Sequence, residues 1–446
     1  VGVAEISLLL LIGIIVLLAL GVPLGLASGF LGAAIAYWKF GERGFFILGQ
    51  RMYDITIEHA LLAVPLFIFM AMLLERSDIA KDMYSSLNIW LSKTRGGIAI
   101  VTSIMAIIMA AMSGIIGGEI VLLGLIALPQ MLRLGYDQNL AVGTICASGS
   151  LGTMIPPSIV LIIYGVVTET SIHALFKAAI VPGLMLGGIY IAYIMVRTRM
   201  NPSLAPLPEL EVEVTLKDKL IALKGVLPPV MLVFAILGSI YGGITGITEA
   251  AAIGCIGTLL IIKMRGEFSF GLFLEALQRT MRSTGTIIWV TFGATALAGA
   301  YSLIGGPTFV ANSIVGFDLP PMGVILMMMA VFLFLGAVMD WVGIVLLAMP
   351  VFLPIVAKFS TEDMGLLGGL ESKHMAVWFG ILFCVNMQVS FLSPPFGGAA
   401  FYLKSVAPPH IKLTDIFKGF LPFIVMQLIV LAVMLMFPEI TSVFLD

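Results

Sequence analysis

Charge is what this sequence has least of. Asp, Glu, Lys and Arg make up only 11% of its 446 residues, against about 25% in soluble domains. The formal net charge is −2, and no basic block suggests a nucleic-acid partner. Cysteine is nearly missing. Cys146, Cys255 and Cys384 each lie in an apolar segment and form no CxxC pair or disulfide framework. The four histidines, His59, His173, His374 and His410, never pair at i, i+4. "EH" at 58–59 is not HExxH, so an intramembrane metalloprotease lacks its ligands. No Walker A motif is present to drive an ATP pump, and no nucleophile–base constellation speaks for an enzyme.

What fills the sequence is hydrocarbon. Hydrophobic residues account for 60% of the chain and mean hydropathy is +1.13. Apolar stretches of about 20 residues recur throughout, each long enough to cross about 30 Å of hydrocarbon. The alternating ten-residue segments of an outer-membrane barrel do not appear. The expected fold is therefore an all-α polytopic membrane protein. The first stretch, without a basic leader region, reads as a membrane helix rather than a signal peptide.

Crossings are expected at about 6–21, 24–40, 57–75 and 175–196 in a first half, and at 226–241, 248–264, 284–305 and 415–438 in a second. Polar or basic arms precede the third crossing of each half, at 41–54 and 267–282. Residues 97–134 and 320–358 are too long for one crossing and carry "MSGIIGGE" and "GAVMDWVG" at their middles. Both read as re-entrant helical hairpins. Segments 139–166 and 374–405 are interrupted by Ser- and Gly-flanked proline pairs, "GTMIPPS" and "SFLSPPF". The Pro- and Glu-rich stretch 197–224 is a linker. The halves, 1–196 and 225–446, thus repeat one order of parts. Glu119 and Pro129 are ten apart, as are Asp340 and Pro350; Cys146 precedes Pro157 by eleven, as Cys384 does Pro395. About ten crossings result, two of them broken, five to a half. Five is odd, so the halves are expected to be inverted, a signature of secondary transporters.

Lys and Arg set the expected orientation. Arg76, Lys81, Lys93, Arg95 and Arg133 flank the first hairpin, and Arg197, Arg199, Lys217, Lys219 and Lys224 mark the linker. With Lys263, Arg265, Arg279 and Arg282, and Lys404, Lys412 and Lys418, they fall on one side, taken as cytoplasmic. Lys39, Arg43 and Arg51 fall opposite. Both termini are then expected outside the cytoplasm.

Proline lacks an N–H and clashes with the preceding turn. Carbonyls freed at membrane depth survive only where protein buries them or a cavity uses them. Freed carbonyls and hydroxyls are hard oxygen ligands, suited to Na⁺ as to harder cations. The candidates are Ser148, Ser150, Gly152, Thr153 and Ile155 at the first break. At the second they are Ser390, Ser393 and Pro395, with Asn386 and Gln388 nearby. A lone Ser-Pro-Pro is more simply a kink whose hydroxyls bond their own helix. Two at matching places, each after a hairpin, favour ion or substrate binding. Glu119 and Asp340 near the hairpin tips either cap the following helix or act directly on ligand or proton. A channel shares hairpins and breaks, but inverted halves favour alternating access. "ILMMMAVF" (325–332) reads as packing or lipid contact.

Five stretches together resemble the large membrane subunit of tripartite ATP-independent periplasmic (TRAP) transporters, of the ion-transporter superfamily: "LLAVPLFIFMAMLLERS" (61–77), "MSGIIGGEIVLLGLIALPQMLRLGYD" (112–137), "ASGSLGTMIPPSIVLIIYG" (147–165), "GAVMDWVGIVLLAMPVFLPI" (336–355) and "SFLSPPFG" (390–397). The resemblance covers essentially the whole chain. It implies a Na⁺-coupled elevator importer in a bacterial or archaeal inner membrane, carrying two or more Na⁺ ions and no organic cofactor. The hairpins, broken helices and closing helices would form the moving domain, and the rest a scaffold. It also implies a small four-helix membrane subunit, expected as a separate chain, and a periplasmic binding protein that selects a small organic anion.

Carried over position by position, the first sodium site joins Ser113, Gly114 and Ile115 at the inner tip to Gly152, Ile155 and Pro157. The second joins Gly336 to Ser390, Ser393 and Pro395. Substrate is expected between tips and breaks, near Ser148, Ser150, Thr153, Glu119, Asp340, Asn386 and Gln388. Many members have a Ser pair where this chain has Ile115 and Ile116, and Asp where it has Glu119. That departure suggests a subgroup handling mannitol, 2-oxoacids or chloroaromatic acids rather than sialic acids. Proton coupling through Glu119 stays open.

Overall fold

A computed structural model of the chain describes residues 2–91, 93–114, 116–207, 214–315, 319–337, 339–360, 364–365, 370–395 and 397–445. It is all-helical, with no strand among the described residues. The first half runs α1 (Val3–Ala19), α2 (Leu24–Phe40), the arm helix α3 (Glu42–Thr56), α4 (Ala63–Arg76) and α5 (Ile79–Leu91). Then come the hairpin arms α6 (Gly97–Ser113) and α7 (Gly118–Arg133), the broken helix α8 (Gln138–Gly149) and α9 (Ile159–Val167), and α10 (Ile172–Met200). The second half runs α11 (Leu216–Tyr241), α12 (Ile247–Met264), α13 (Phe270–Leu303) and α14 (Gly306–Val315). It ends with the hairpin α15 (Pro321–Gly336) and α16 (Trp341–Val356), the broken pair α17 (Met375–Leu392) and α18 (Gly398–Lys404), and α19 (Leu413–Met436).

Among the described residues, seven helical stretches are long and apolar enough to cross a membrane, and α1 and α2 fall just short in length. Three features differ from the sequence-based expectation. The arm at 267–282 and the crossing after it are one continuous helix, α13. The α11 helix begins about ten residues before 226, inside the expected linker. Two short helices, α5 and α14, occupy stretches where no helix was expected, one ahead of each hairpin.

Packing partners exchange between the halves. Helix α2 packs on α13, and α12 on α4; α1 packs on α14, and α11 on α5. Helix α8 lies against α19, and α17 against α10; α7 meets α18, and α16 meets α9. The α2–α13 contact is close because Gly32 leaves room: a Cβ there would stand 2.6 Å from the Leu297 backbone nitrogen. Membrane helices, which gain no hydrophobic advantage by associating, pack through such small residues.

The broken helices sit at the centre. The membrane-length window that holds α17 is 89% buried, against 22% for α11. So α11 presents most of its surface outward, while α17 is wrapped by protein. That is where non-helical backbone can be tolerated.

Candidate functional site

The site is built from two hairpin–break junctions. At the first, α8 ends at Gly149 and the chain tightens into a 3₁₀ turn over Ser150–Thr153. The Pro156–Pro157 bond is cis. Ser158 restarts the helix: its Oγ accepts from the Leu161 N–H at 3.4 Å and donates to the Thr153 carbonyl at 2.5 Å. The tip of the first hairpin lies on this break. Gly114, at φ +61°, leaves room for the Pro157 carbonyl, which a Cβ would meet at 2.5 Å. The Ile159 N–H donates to the Gly114 carbonyl at 3.4 Å.

Among the described residues, the carbonyls of Gly152, Ile155 and Pro157 accept no hydrogen bond. All three residues are buried. Buried acceptors without donors are uncommon, and carbonyl oxygens are the kind of ligand a hard cation takes. Ser113 is buried at the tip and its Oγ donates to Glu119 Oε1. Ile115 lies outside the described residues.

At the second junction, α17 ends at Leu392, and Pro394–Pro395 is again cis. Gly336, at the end of α15, is pressed onto the Ser390 side chain so closely that no Cβ would fit. Ser390 Oγ donates to the Asn386 carbonyl at 3.3 Å, and Ser393 Oγ to the Val389 carbonyl at 2.8 Å. Each hydroxyl spends its proton on its own helix, which leaves its lone pairs for a cation. Ser390 is buried, Ser393 half-buried and Pro395 exposed.

The sequence-based substrate residues divide in two. Ser148 Oγ bonds Ser103 Oγ at 2.9 Å, inside the fold. Gln388 joins the two broken helices. Its Oε1 accepts from Ser150 Oγ at 2.7 Å, and its Nε2 donates to the Ser150 carbonyl at 2.9 Å and to Thr153 Oγ1 at 2.5 Å. Asn386 Nδ2 donates to the Met329 carbonyl at 2.9 Å, while its Oδ1 is without a partner among the described residues. Ser148, Ser150, Thr153, Asn386 and Gln388 are at most 1% exposed. Glu119 is as deeply buried, with Oε2 without a partner among the described residues. Asp340 alone of this group reaches open space, at the N-cap position of α16.

That space is a cavity of about 400 Å³ lined by Gly336, Asp340, Met387, Ser390, Phe391 and Tyr402, among others. A second cavity of about 570 Å³ lies between the inner tip and α13, lined by Glu75, Gly117, Gly118, Gln278, Arg279 and Arg282, among others. Tyr402 lines both, and its ring covers Gly117. The α13 positions 275, 278, 279 and 282 share one face at i, i+3/i+4 spacing. Glu275 holds Arg76 at 2.8 Å and Arg279 at 3.2 Å. The Arg282 guanidinium has no partner among the described residues. The sequence places these α13 arginines in a basic arm at 267–282 and in the cytoplasmic charge count, but gives no site role to them, to Glu75 or to Tyr402. The i, i+4 clustering of 275, 278, 279 and 282 was the available signal.

Oxygen-only junctions beside cavities of this size can hold cations and a small polar solute. Among the described residues, no group of three His, Cys, Asp or Glu is placed to hold a metal. The fold is shared with transporters: the Alcanivorax borkumensis YdaH transporter superposes with TM-score 0.59 at 14% identity, covering 89% of this chain and 88% of that one. The Neisseria gonorrhoeae MtrF efflux pump gives TM-score 0.54 at 12% identity, with 89% and 85% covered. Sequence relatives are permeases. The C4-dicarboxylate TRAP transporter large permease protein DctM of Pseudomonas aeruginosa is 27% identical, with 92% of each chain covered. The ectoine/5-hydroxyectoine large permease UehC of Ruegeria pomeroyi is 29% identical over 96% of this chain and 95% of that one. The isethionate permease DctMQ of Oleidesulfovibrio alaskensis is 27% identical over 96% of this chain and 64% of its own length. The model of the tripartite ATP-independent periplasmic transporter DctM component matches residues 11–440. The chain therefore belongs to the DctM family: it is the large membrane subunit of a TRAP transporter, a permease and not an enzyme.

Proposed function

We propose that this permease imports a small organic anion, a carboxylate or a sulfonate, driven by Na⁺ through an elevator motion of inverted halves. The observation that carries the reading is the pair of hairpin–break junctions, the first presenting buried carbonyl acceptors and the second serine hydroxyls at a cavity. Ser390, Ser393, Gly336 and Pro395 would hold one ion. Gly152, Ile155, Pro157 and the Ser113–Gly114 tip would hold another. The exchange of packing partners supports a two-fold relation between the halves, which inversion requires. The moving body would be α6–α10 with α15–α19, and the scaffold α1–α5 with α11–α14.

Substrate would sit in the two cavities that share Tyr402. The unpartnered Arg282 supplies positive charge there, and the α7 N-terminus favours anions. Relatives named for C4-dicarboxylate and isethionate support an acid substrate. A separate small membrane subunit and a periplasmic binding protein would complete the system in the inner membrane, with both termini outside the cytoplasm.

The test is uptake by proteoliposomes carrying the permease and its small subunit, supplied with the binding protein loaded with its ligand. Uptake should follow an inward Na⁺ gradient. Equal uptake with choline replacing Na⁺ sinks the coupling, and uptake driven by a pH gradient alone supports a proton through Glu119 instead. Solute flux without the binding protein would indicate a channel.

A further inference from the structure

We infer that Gln388 is a positioning residue that couples the two cation junctions, so that an ion at one raises affinity at the other. The inference rests on the Na⁺ reading above and deepens it. Gln388 is fully buried on α17, two residues before Ser390. Its amide is spent on the first break: Oε1 accepts from Ser150 Oγ, and Nε2 donates to the Ser150 carbonyl and Thr153 Oγ1, at 2.7, 2.9 and 2.5 Å. Among the described residues, these are the only hydrogen bonds between α17 and the 150–153 turn.

The connection continues in both directions. Past Thr153, its carbonyl takes the Ser158 hydroxyl that also caps α9, so the chain of bonds brackets Gly152, Ile155 and Pro157. Along α17, the Asn386 carbonyl takes the Ser390 hydroxyl, and the Asn386 amide holds the Met329 carbonyl of α15 in the second hairpin. A planar amide with fixed donor and acceptor ends cannot turn over without breaking all three bonds at once. A cation that fixes the end of α17 therefore orders the first break as well. The second ion then pays less ordering entropy, which is positive cooperativity.

Binding of radiolabelled Na⁺ to the purified permease with its small subunit tests this, with no organic substrate present. Wild type should bind cooperatively, with a Hill coefficient above 1. Gln388→Ala should bind with a Hill coefficient of about 1 and a half-saturating Na⁺ concentration raised by roughly 2- to 12-fold, the square root of the usual coupling of about 5- to 150-fold between two sites. Thr153→Val removes one of the three bonds at constant shape and should move both quantities part of the way; it carries the test if Gln388→Ala fails to fold. Cooperative binding left unchanged in both variants, or non-cooperative binding by wild type, overturns the coupling while leaving Na⁺ binding intact. No saturable Na⁺ binding by wild type overturns the Na⁺ reading itself.

Discussion

The two proline breaks share a plan and differ in wrapping. The first is sealed: every residue from Ser148 to Ser158 is buried, and Gln388 and Ser158 occupy its polar groups. The second is open: Ser390 lines a cavity, Ser393 is half-buried, and both prolines are exposed. The first offers only carbonyls as free ligands, whereas the second offers hydroxyls. Under the Na⁺ reading, the ion at the second junction exchanges with the cavity, and the ion at the first waits on the protein to move. Under the same reading, the contrast accounts for isoleucine at 155, where the matching second-break position is Ser393. A carbonyl ligand does not depend on its side chain.

The largest effect is expected from filling the tip contacts. Gly114→Val carries two penalties, a left-handed backbone at φ +61° and a Cβ against the Pro157 carbonyl. The first alone costs about 1–2 kcal/mol. Gly336→Val carries only the second kind, against Ser390. Both should abolish Na⁺-driven uptake in proteoliposomes while the protein still elutes as one species, with Gly114→Val the less stable on melting. Retained uptake in Gly336→Val would mean the outer tip does not close on Ser390 during transport.

Accessibility comes next. The three native cysteines are buried, so wild type offers a quiet background to a membrane-impermeant thiol reagent. Ser393→Cys should label at least about a hundredfold faster than Thr153→Cys, because exposed positions react freely while buried ones wait on local opening. Equal rates would erase the distinction between open and sealed junctions.

How far the sequence foretold all this follows from where each signal is local. Breaks, hairpins and their glycines lie within short windows, so proline chemistry and segment length exposed them. Helices α5 and α14 did not show, because a 13-residue amphipathic stretch and a ten-residue one pass beneath any window sized to a membrane. The continuity of α13 was hidden by its charged first turns, whose partners, Arg76 among them, come from α4. The Gln388 clamp joins residues 238 apart; Gln388 and Ser150 could each be flagged as polar in an apolar run, but only tertiary packing reveals that they satisfy each other. The same holds for the cavity wall shared by α4, α13 and Tyr402.

A smaller effect is expected from the hydroxyls of the open junction. Ser390→Ala with Ser393→Ala leaves the carbonyls in place and removes two proposed ligands. Half-saturating Na⁺ for uptake should rise about tenfold, which corresponds to about 1.4 kcal/mol. Undiminished Na⁺ dependence would remove these serines from the second site.

The smallest effect separates scaffold from site within the sealed junction. Ser148 lies only four residues before Gly152, yet its hydroxyl is turned to Ser103 of α6, at 2.9 Å. Ser103 in turn reaches the Ala99 carbonyl at 3.2 Å. This pair ties a hairpin arm to the broken helix and leaves no free group aimed at the carbonyls of Gly152, Ile155 and Pro157. Ser148→Ala should therefore cost about 1 kcal/mol of stability, the usual net worth of a buried neutral hydrogen bond. It should show as a modest fall in melting temperature in detergent, with half-saturating Na⁺ within about twofold of wild type, since no ion ligand is removed. A tenfold change in Na⁺ affinity would place Ser148 at the ion after all, and the sealed junction would then own a hydroxyl ligand like its partner.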